Sequence, residues 1–430
     1  MRDLLLLGLL PVLLYYAIRK PFIGLALWLW TSLVPMQTWA YGMATSIRWN
    51  MLFALCTIIG YVFMKNKPKV QFSGLFWAFT ALLLLATLST IFHNGFDILV
   101  WDRWERFVKA YIFFVFVYLI VDKKLHVEAL MWACVLSITA TAAKQGVKVL
   151  ASGGGHVVYG MSSTFNDNNL SAFATLMCIP FTLYLLHLHR DKFIFKWGLI
   201  GAICVGMLFI LGSDSRGGFL GLLVLAAYYF WYSKQKVPIA IAGILVAVVG
   251  LSLMDASWFE RMSTIKEASE DDSFMGRVIA WKLSILLAIQ NPILGGGFDA
   301  VAYKPTWMPL LSYWHLVEWI PTPMPTKGHV AHSIYFQVLG DLGFLGFILF
   351  FGIVWKTYKY FKKVQKYTPQ AQEWLVNLGK YSIIALVCFL VAGAALSVAY
   401  NEINIMLVAL AARLSEKYKI DKVQHHNVTT

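Results

Sequence analysis

The chain has 430 residues, 59% of them hydrophobic and only 13% charged, with a mean hydropathy of +0.66. A soluble domain carries roughly twice that charged fraction, so composition excludes an ordinary soluble fold. The net charge of +14 raises nucleic acid as a partner, but the basic residues are divided among short segments between apolar blocks. That placement excludes a continuous basic face for nucleic acid.

In chain order the apolar blocks are Leu4–Ile18, Phe22–Val34, Met51–Met64, Leu75–Phe92, Tyr111–Val121, Trp197–Leu211, Phe219–Tyr232, Val237–Met254 and Ile334–Trp355. A span needs about 20 apolar residues, fewer where flanking polar groups snorkel, and without water each block must be a helix that satisfies its own backbone. Leu4–Ile18 follows Arg2, but Tyr15-Tyr16-Ala17-Ile18 lacks a small-x-small cleavage site, so the block is expected to be retained. Lysine and arginine gather at Arg19-Lys20, Lys65 to Lys69, Lys123-Lys124, Arg190 to Lys196, Lys234 and Lys236, Lys356 to Lys366, and Arg413 to Lys422. Under the positive-inside rule these are cytoplasmic connections, which predicts about 13 crossings with the N-terminus outside and the C-terminus inside. The count falls to about 11 or 12 if Leu4–Ile18 and Phe22–Val34 form a shallow hairpin. The expected fold is therefore an all-α polytopic membrane protein of 11–13 transmembrane helices with one large outer loop. The five cysteines (Cys56, Cys134, Cys178, Cys204, Cys388) lie far apart in apolar blocks, so they read as small core side chains.

The outer side carries three connections. Ala142–Asn169 is polar and glycine-rich, Gly212–Gly218 is a short turn, and Asp255–Ala331 is the one long hydrophilic segment. Trp258, Trp281, Trp307, Trp314 and Trp319 argue that this long loop is folded, and Ile279, Leu283, Leu286 and Leu287 recur at amphipathic helical spacing. The inner turns are too short for a nucleotide-binding domain. Energy must come from the substrate or an ion gradient, and any chemistry belongs on the outer face.

Several cations sit on that face against the rule: Arg48, Arg103, Arg106, Lys109, Lys144, Lys148, Arg216, Arg261, Arg277, Lys282 and Lys304. Arg216 lies in Ser213-Asp214-Ser215-Arg216-Gly217, where glycine permits close approach and a helix start favours an anion. The bland alternative is a tight turn with Arg216 paired to Asp214. Arg277, in Met275-Gly276-Arg277, is either a ligand cation or a solvated helix-start arginine. The Gly295-Gly296-Gly297 run follows no strand and reads as a turn, not a dinucleotide fingerprint. His332 opens the Ile334–Trp355 block. It is either a hydrogen-bonded interfacial residue or a base near neutrality, sharing a helix face with Phe336 next to Tyr335, with Ser333 and Gln337 on the adjoining face. His329 and His332 have no third ligand at a sensible spacing, so no metal or cofactor is expected.

Ser215-Arg216-Gly217, Gly276-Arg277 with Trp281 and Asn291-Pro292, and His332-Ser333-x-Tyr335-x-Gln337, in that order, resemble the O-antigen ligase superfamily, which includes O-antigen polymerases and bacterial protein O-oligosaccharyltransferases. Met1 to Leu4, Arg19-Lys20-Pro21 and Trp28–Trp30 resemble its exosortase-associated O-glycosylation ligase subgroup. The resemblance covers most of the chain and is strongest from about Phe165 to Gly343. It implies a membrane glycosyltransferase fold of the type C kind in the bacterial inner membrane, with its site facing the periplasm. It further implies glycan transfer from an undecaprenyl diphosphate carrier to a hydroxyl without metal or nucleotide sugar. By position, Arg216 and Arg277 would hold the diphosphate and His332 would be the general base. Ser215, Gly217, Asn169, Tyr335 and Gln337 would support them, with Phe165-Asn166-Asp167-Asn168-Asn169 lining the pocket. Asp341 stands where many members carry Glu.

The implied division is 1–165 as an N-terminal membrane region, 166–413 as the ligase-like core with its loop at 255–331, and 414–430 as a cytoplasmic tail. Expected partners are the lipid-linked oligosaccharide, membrane lipids, and an acceptor that is either a pilin-like protein or a glycolipid. Ligation to a protein is favoured over transfer to lipid A core or to a growing chain. A transporter or flippase is the rival class, disfavoured because the strong spans are nearly free of charge. A structural scaffold would leave Arg216 and His332 unexplained.

Overall fold

The structure is a computed structural model that describes residues 2–93, 98–162, 164–232, 236, 248, 272–319, 321–368 and 372–418. The expected span Val237–Met254 (apart from Val248), the long loop up to 271 with Trp258 and Arg261, and the tail beyond 418 lie outside the described residues. Helix dominates what is described, as the composition demands. The helices are α1 (Arg2–Arg19), α2 (Pro21–Leu33), α3 (Trp49–Val62), α4 (Gly74–Ile91), α5 (Ile98–Ile120), α6 (Lys124–Ala151) and α7 (Asn168–Leu188). They continue with α8 (Phe193–Leu211), α9 (Arg216–Tyr232), α10 (Asp272–Gln290), α11 (Ile334–Tyr367), α12 (Glu373–Gly393) and α13 (Glu402–Lys417). Among the described residues no strand occurs. Among the described residues six helices (α4, α6, α7, α8, α11 and α12) are long and apolar enough to cross a membrane, and α2, α3 and α9 are shorter apolar helices. The protein is a polytopic, all-helical membrane protein.

Burial ranks the helices from centre to rim. In α7 78% of the apolar stretch is covered by protein, against 28% in α8, so α7 is central and α8 faces lipid. α7 packs on α6, α8, α9 and α12, while α11 packs on α4, α10, α12 and α13. The two faces of the bundle are tied differently. On the basic face Arg413, 1% exposed, donates from Nε to the Val121 carbonyl at 2.9 Å and pairs with Glu416 at 2.7 Å. Its other terminal nitrogen reaches the Lys69 carbonyl at 3.3 Å. One side chain thereby fastens α13 to the end of α5 and to the α3–α4 connection. On the loop face the Asp3 carboxylate accepts from the backbone N–H groups of Tyr41 (2.8 Å) and Ala44 (3.3 Å), so the start of α1 lies beside the α2–α3 connection.

Several expectations on element limits need correction. Ala142–Ala151 is not loop, because α6 continues to Ala151 with Val149 buried, and the glycine-rich connection begins only at Ser152. The charged residues before Tyr111 are helical too, since α5 starts at Ile98. Cys204 is exposed, unlike the other four cysteines, because it lies on lipid-facing α8. The long loop is folded where it is described. α10 buries Ile279, Leu283, Leu286 and Leu287 against Trp307, Leu310, Trp314 and Val317. Lys282 is buried with them, its Nζ 2.7 Å from Thr322 Oγ1 and 5.0 Å over the Trp314 ring.

The loop and the bundle meet at a break in α11. Gly343 sits at φ 66, ψ −169 inside the helix, which interrupts its hydrogen-bond ladder. The glycine turn after α10 fills the interruption. Gly296 and Gly297 donate to the carbonyls of Gly340 (2.9 Å) and Asp341 (3.0 Å), and Phe344 donates to the Pro292 carbonyl at 2.8 Å. Ser89 of α4 adds its hydroxyl to the Asp341 carbonyl at 2.8 Å and to that of Leu294. Gly295 lies at φ +63, and a Cβ there would stand 2.5 Å from the Gly343 nitrogen, backbone that cannot yield. Gly295→Ala is therefore expected to cost about 2 kcal/mol or more. A melting temperature in detergent several degrees below wild type would show it, and an unchanged melt would mean that the docking does not hold the loop.

Candidate active site at the loop face

A cavity of about 430 Å³ opens at the loop face among α5, α7, α11, α13 and the connections that precede the last three. Its lining includes Arg103, Arg106, Asp167, Phe298, Asp299, His332, Gln337, Tyr400, Asn401 and Glu402. Three helices present their N-termini to it. The Asp167 carboxylate caps α7 by accepting from Leu170 N–H at 2.7 Å, and Asn401 caps α13 by accepting from Asn404 N–H at 2.9 Å. Ser333 precedes α11 without a side-chain cap. Helix N-termini carry partial positive charge, so this arrangement favours an anion.

His332 is the most unusual residue of the lining. It does not share the α11 face with Phe336, contrary to the helical expectation, because the helix begins only at Ile334. Its backbone takes φ 44, a left-handed conformation uncommon for a residue other than glycine. Both neighbours are fixed. The Ala331 carbonyl accepts from Trp281 Nε1 at 2.8 Å, and Ile334 packs against Gly393, where a Cβ would stand 2.9 Å from Ile334. Trp281 in turn stacks on Phe336 with centroids 4.9 Å apart. Burial, and secondarily the positive charge of Arg277, hold the His332 imidazole below its ordinary pKa, with Asp167 opposing them. The ring is therefore neutral near pH 7.

The other expected site residues divide into two groups. Gln337 lines the cavity and its Oε1 accepts from Ala399 N–H at 3.1 Å. Arg277 does not line the cavity but is close enough to act on His332. Arg216 does not line it either. It opens α9 in the next turn, which the Asn168 amide holds by donating to the Ser213 carbonyl at 2.7 Å. In that turn Ser215 Oγ accepts from Gly218 N–H at 3.1 Å, and Gly217 faces Ala395, at van der Waals distance for a Cβ. Asn169 bonds to Asn168 within the same cluster, whereas Phe165, Asn166 and Asp167 of that motif line the cavity. Tyr335 faces α12, its hydroxyl on the Leu390 carbonyl at 3.1 Å and its ring stacked on Phe351.

Sequence reasoning misses Asp299, Tyr400, Asn401 and Glu402. It marks Arg103 and Arg106 only as misplaced outer cations, and their three-residue spacing on a helix is the signal that could have joined them. Asp341, 3% exposed, organises this side of the cavity. Its carboxylate accepts from Asp299 N–H at 2.9 Å and from the Tyr400 hydroxyl at 3.2 Å. Asp299 then pairs with Arg103 Nε at 2.8 Å. Tyr400, Phe107 and Phe298 pack as an aromatic wall with centroids 5.1–5.7 Å apart. Among the described residues no cluster of three or more His, Cys, Asp or Glu side chains is placed to hold a metal ion.

A multi-pass helical membrane protein with a charged cavity at one face, lined by several helix N-termini, is the class these observations define. Residues 200–351, about a third of the chain, match the family model described as O-antigen ligase, which supports membership of the O-antigen ligase superfamily and the reading of this chain as an enzyme. Residues 1–190 match a family of unknown function. No curated protein matches the chain.

The left-handed backbone of His332 makes a specific demand on substitution. Asparagine tolerates this conformation and a β-branched residue does not. His332→Asn is expected to melt within a degree or two of wild type, whereas His332→Val should be destabilised by roughly 1–3 kcal/mol. Equal melting temperatures would mean that the backbone there is not held left-handed.

Proposed function

We propose that this protein transfers a glycan from an undecaprenyl-diphosphate-linked donor to an acceptor hydroxyl at the periplasmic face of a bacterial inner membrane. The favoured acceptor is a protein hydroxyl such as that of a pilin, as in the exosortase-associated O-glycosylation ligase subgroup. The observation that carries the reading is His332: a half-buried imidazole with lowered basicity, held in a left-handed backbone conformation, facing a cavity lined by the N-termini of α7, α11 and α13. The match of residues 200–351 to the O-antigen ligase family supports the same chemistry.

In the proposed reaction the acceptor oxygen attacks C1 of the donor sugar and the C1–O bond to the diphosphate breaks. The acceptor proton passes to neutral His332, and the diphosphate leaves as an anion. A one-step displacement inverts the anomeric centre. Arg277, which bears on His332, and Arg216, at the adjacent helix start, neutralise the charge that develops on the leaving group. Gln337 fixes the opening turn of α11 to Ala399, and the capped starts of α7 and α13 add their dipoles.

Two measurements test this on a defined lipid-linked glycan with pilin and glycolipid acceptors compared. His332→Asn should lower transfer by roughly 100-fold or more while the protein remains folded. The base works only when deprotonated, and its pKa is lowered, so the wild-type rate should rise with pH along a limb lying below about 6.5 and then level off. Arg277 lowers that pKa, so Arg277→Gln should move the limb to higher pH. Full transfer by folded His332→Asn would remove the histidine from the reaction, and an unmoved limb would remove Arg277 from its surroundings.

A further inference from the structure

The proposed function assigns the diphosphate to Arg216 and Arg277 and leaves the cavity's own cations without a role; a role for them rests on that function. Arg103 and Arg106 are three residues apart on α5, so both project from one side of the helix into the cavity mouth. Arg103 is half-exposed, and its Nε is held by the Asp299 carboxylate at 2.8 Å. Its two terminal nitrogens have no hydrogen-bond partner among the described residues. A guanidinium anchored at Nε presents the remaining planar fork in a fixed direction, which suits two oxygens of one phosphate.

Asp299 owes its place to Asp341. It sits left-handed at φ 54, with its N–H bound to the Asp341 carboxylate at 2.9 Å. The adjoining turn of chain is held by Gly297 N–H on the Asp341 carbonyl at 3.0 Å. Asp341 is buried and absent from the cavity lining, so any influence on a ligand passes through the two lining residues it binds, Asp299 and Tyr400, and only Asp299 holds Arg103. We propose that Arg103 is a donor-binding residue that takes diphosphate oxygens on its terminal nitrogens, and that Asp341 is a positioning residue that aims it through Asp299. Arg106, one turn further along α5, extends the same positive edge.

The test uses the purified full chain in lipid nanodiscs and two probes, undecaprenyl diphosphate and the uncharged undecaprenol. Wild type should bind the diphosphate more tightly than the alcohol. Arg103→Gln should weaken diphosphate binding by roughly tenfold and leave the alcohol unchanged, because it removes charge-assisted hydrogen bonds. Arg103→Lys should recover little, since a point charge lacks the fork. Asp341→Asn should weaken diphosphate binding in the same sense, and the Arg103→Gln/Asp341→Asn pair should bind no more weakly than Arg103→Gln alone. A generally damaged fold would instead add its loss to the first. Asp299→Asn completes the same cycle at the cavity mouth if the buried substitution fails to fold. Wild-type diphosphate affinity in folded Arg103→Gln overturns the binding role, and additive losses overturn the positioning role. If wild type itself does not distinguish the two lipids, the proposed function fails and the role of Arg103 falls with it. That outcome is separate from a wild type that discriminates and an Arg103→Gln variant that does so equally well.

Discussion

The docking of the Asn291–Gly297 turn onto the broken middle of α11 is the contact on which the cavity depends. A helix interrupted at Gly343 leaves N–H and carbonyl groups unpaired, and in a dry interior each such group costs several kcal/mol. The turn supplies those partners. Pro292 accepts from Phe344, while Gly296 and Gly297 donate to Gly340 and Asp341. Break and turn each satisfy what the other leaves open, so neither is stable alone. Glycine is required on both sides because the two backbones approach closer than any Cβ allows: one at Gly343 would lie 2.7 Å from the Pro292 carbonyl oxygen. From this contact the chain emerges at Phe298 and Asp299, which are already in the cavity wall.

The cavity carries both signs of charge, and their commitments decide what it can hold. Asp167 is spent on the start of α7, and Asp299 on Arg103. Carboxylates engaged in this way act as fixtures, orienting helix ends and a guanidinium, more than as a negative field. What remains directed at the space is the fork of Arg103, the side chains of Arg106 and Glu402, which interact with one another, three helix N-termini and a neutral imidazole. The exposed parts of such a site are screened by salt, but those beneath the mouth are not.

Much of this is legible in the sequence, and the reasons it stops are physical. The amphipathic spacing of Ile279, Leu283, Leu286 and Leu287 predicts α10 and its buried face because helical periodicity is a local property. His332 stands out as a polar residue beside a span, the Phe165-Asn166-Asp167 stretch is marked by the family resemblance, and both line one cavity. The Gly295–Gly297 run reads as a turn, which it is, but its partner lies some 45 residues on, in a helix whose break no local rule foretells. Asp299, Tyr400 and Glu402 belong to no spaced pattern and are gathered only by tertiary packing. Charges before Tyr111 hide the first half of α5, since mean hydropathy does not tell a polar helical stretch from a connection. Burial of Arg413 under the basic face is a further case: a positive residue near a span end reads as an ordinary inside charge until its carbonyl partners from Val121 and Lys69 are seen.

The electrostatic effect of Arg277 on His332 bears on a conflict within the proposed chemistry. A base that takes a proton beside a diphosphate faces a difficulty, because the anion stabilises the protonated imidazole and so raises its pKa. An unopposed anion would leave the histidine charged before the acceptor arrives, and a charged imidazole cannot accept the proton. Partial burial of the ring acts on His332 in the opposite sense, and the positive charge of Arg277 adds to it. One cation can thus serve two ends, balancing the leaving group and keeping the base neutral while the donor is bound. The left-handed backbone at His332 is held between the Trp281 contact to Ala331 and the packing of Ile334 on Gly393, which fixes the point from which the imidazole leaves the chain.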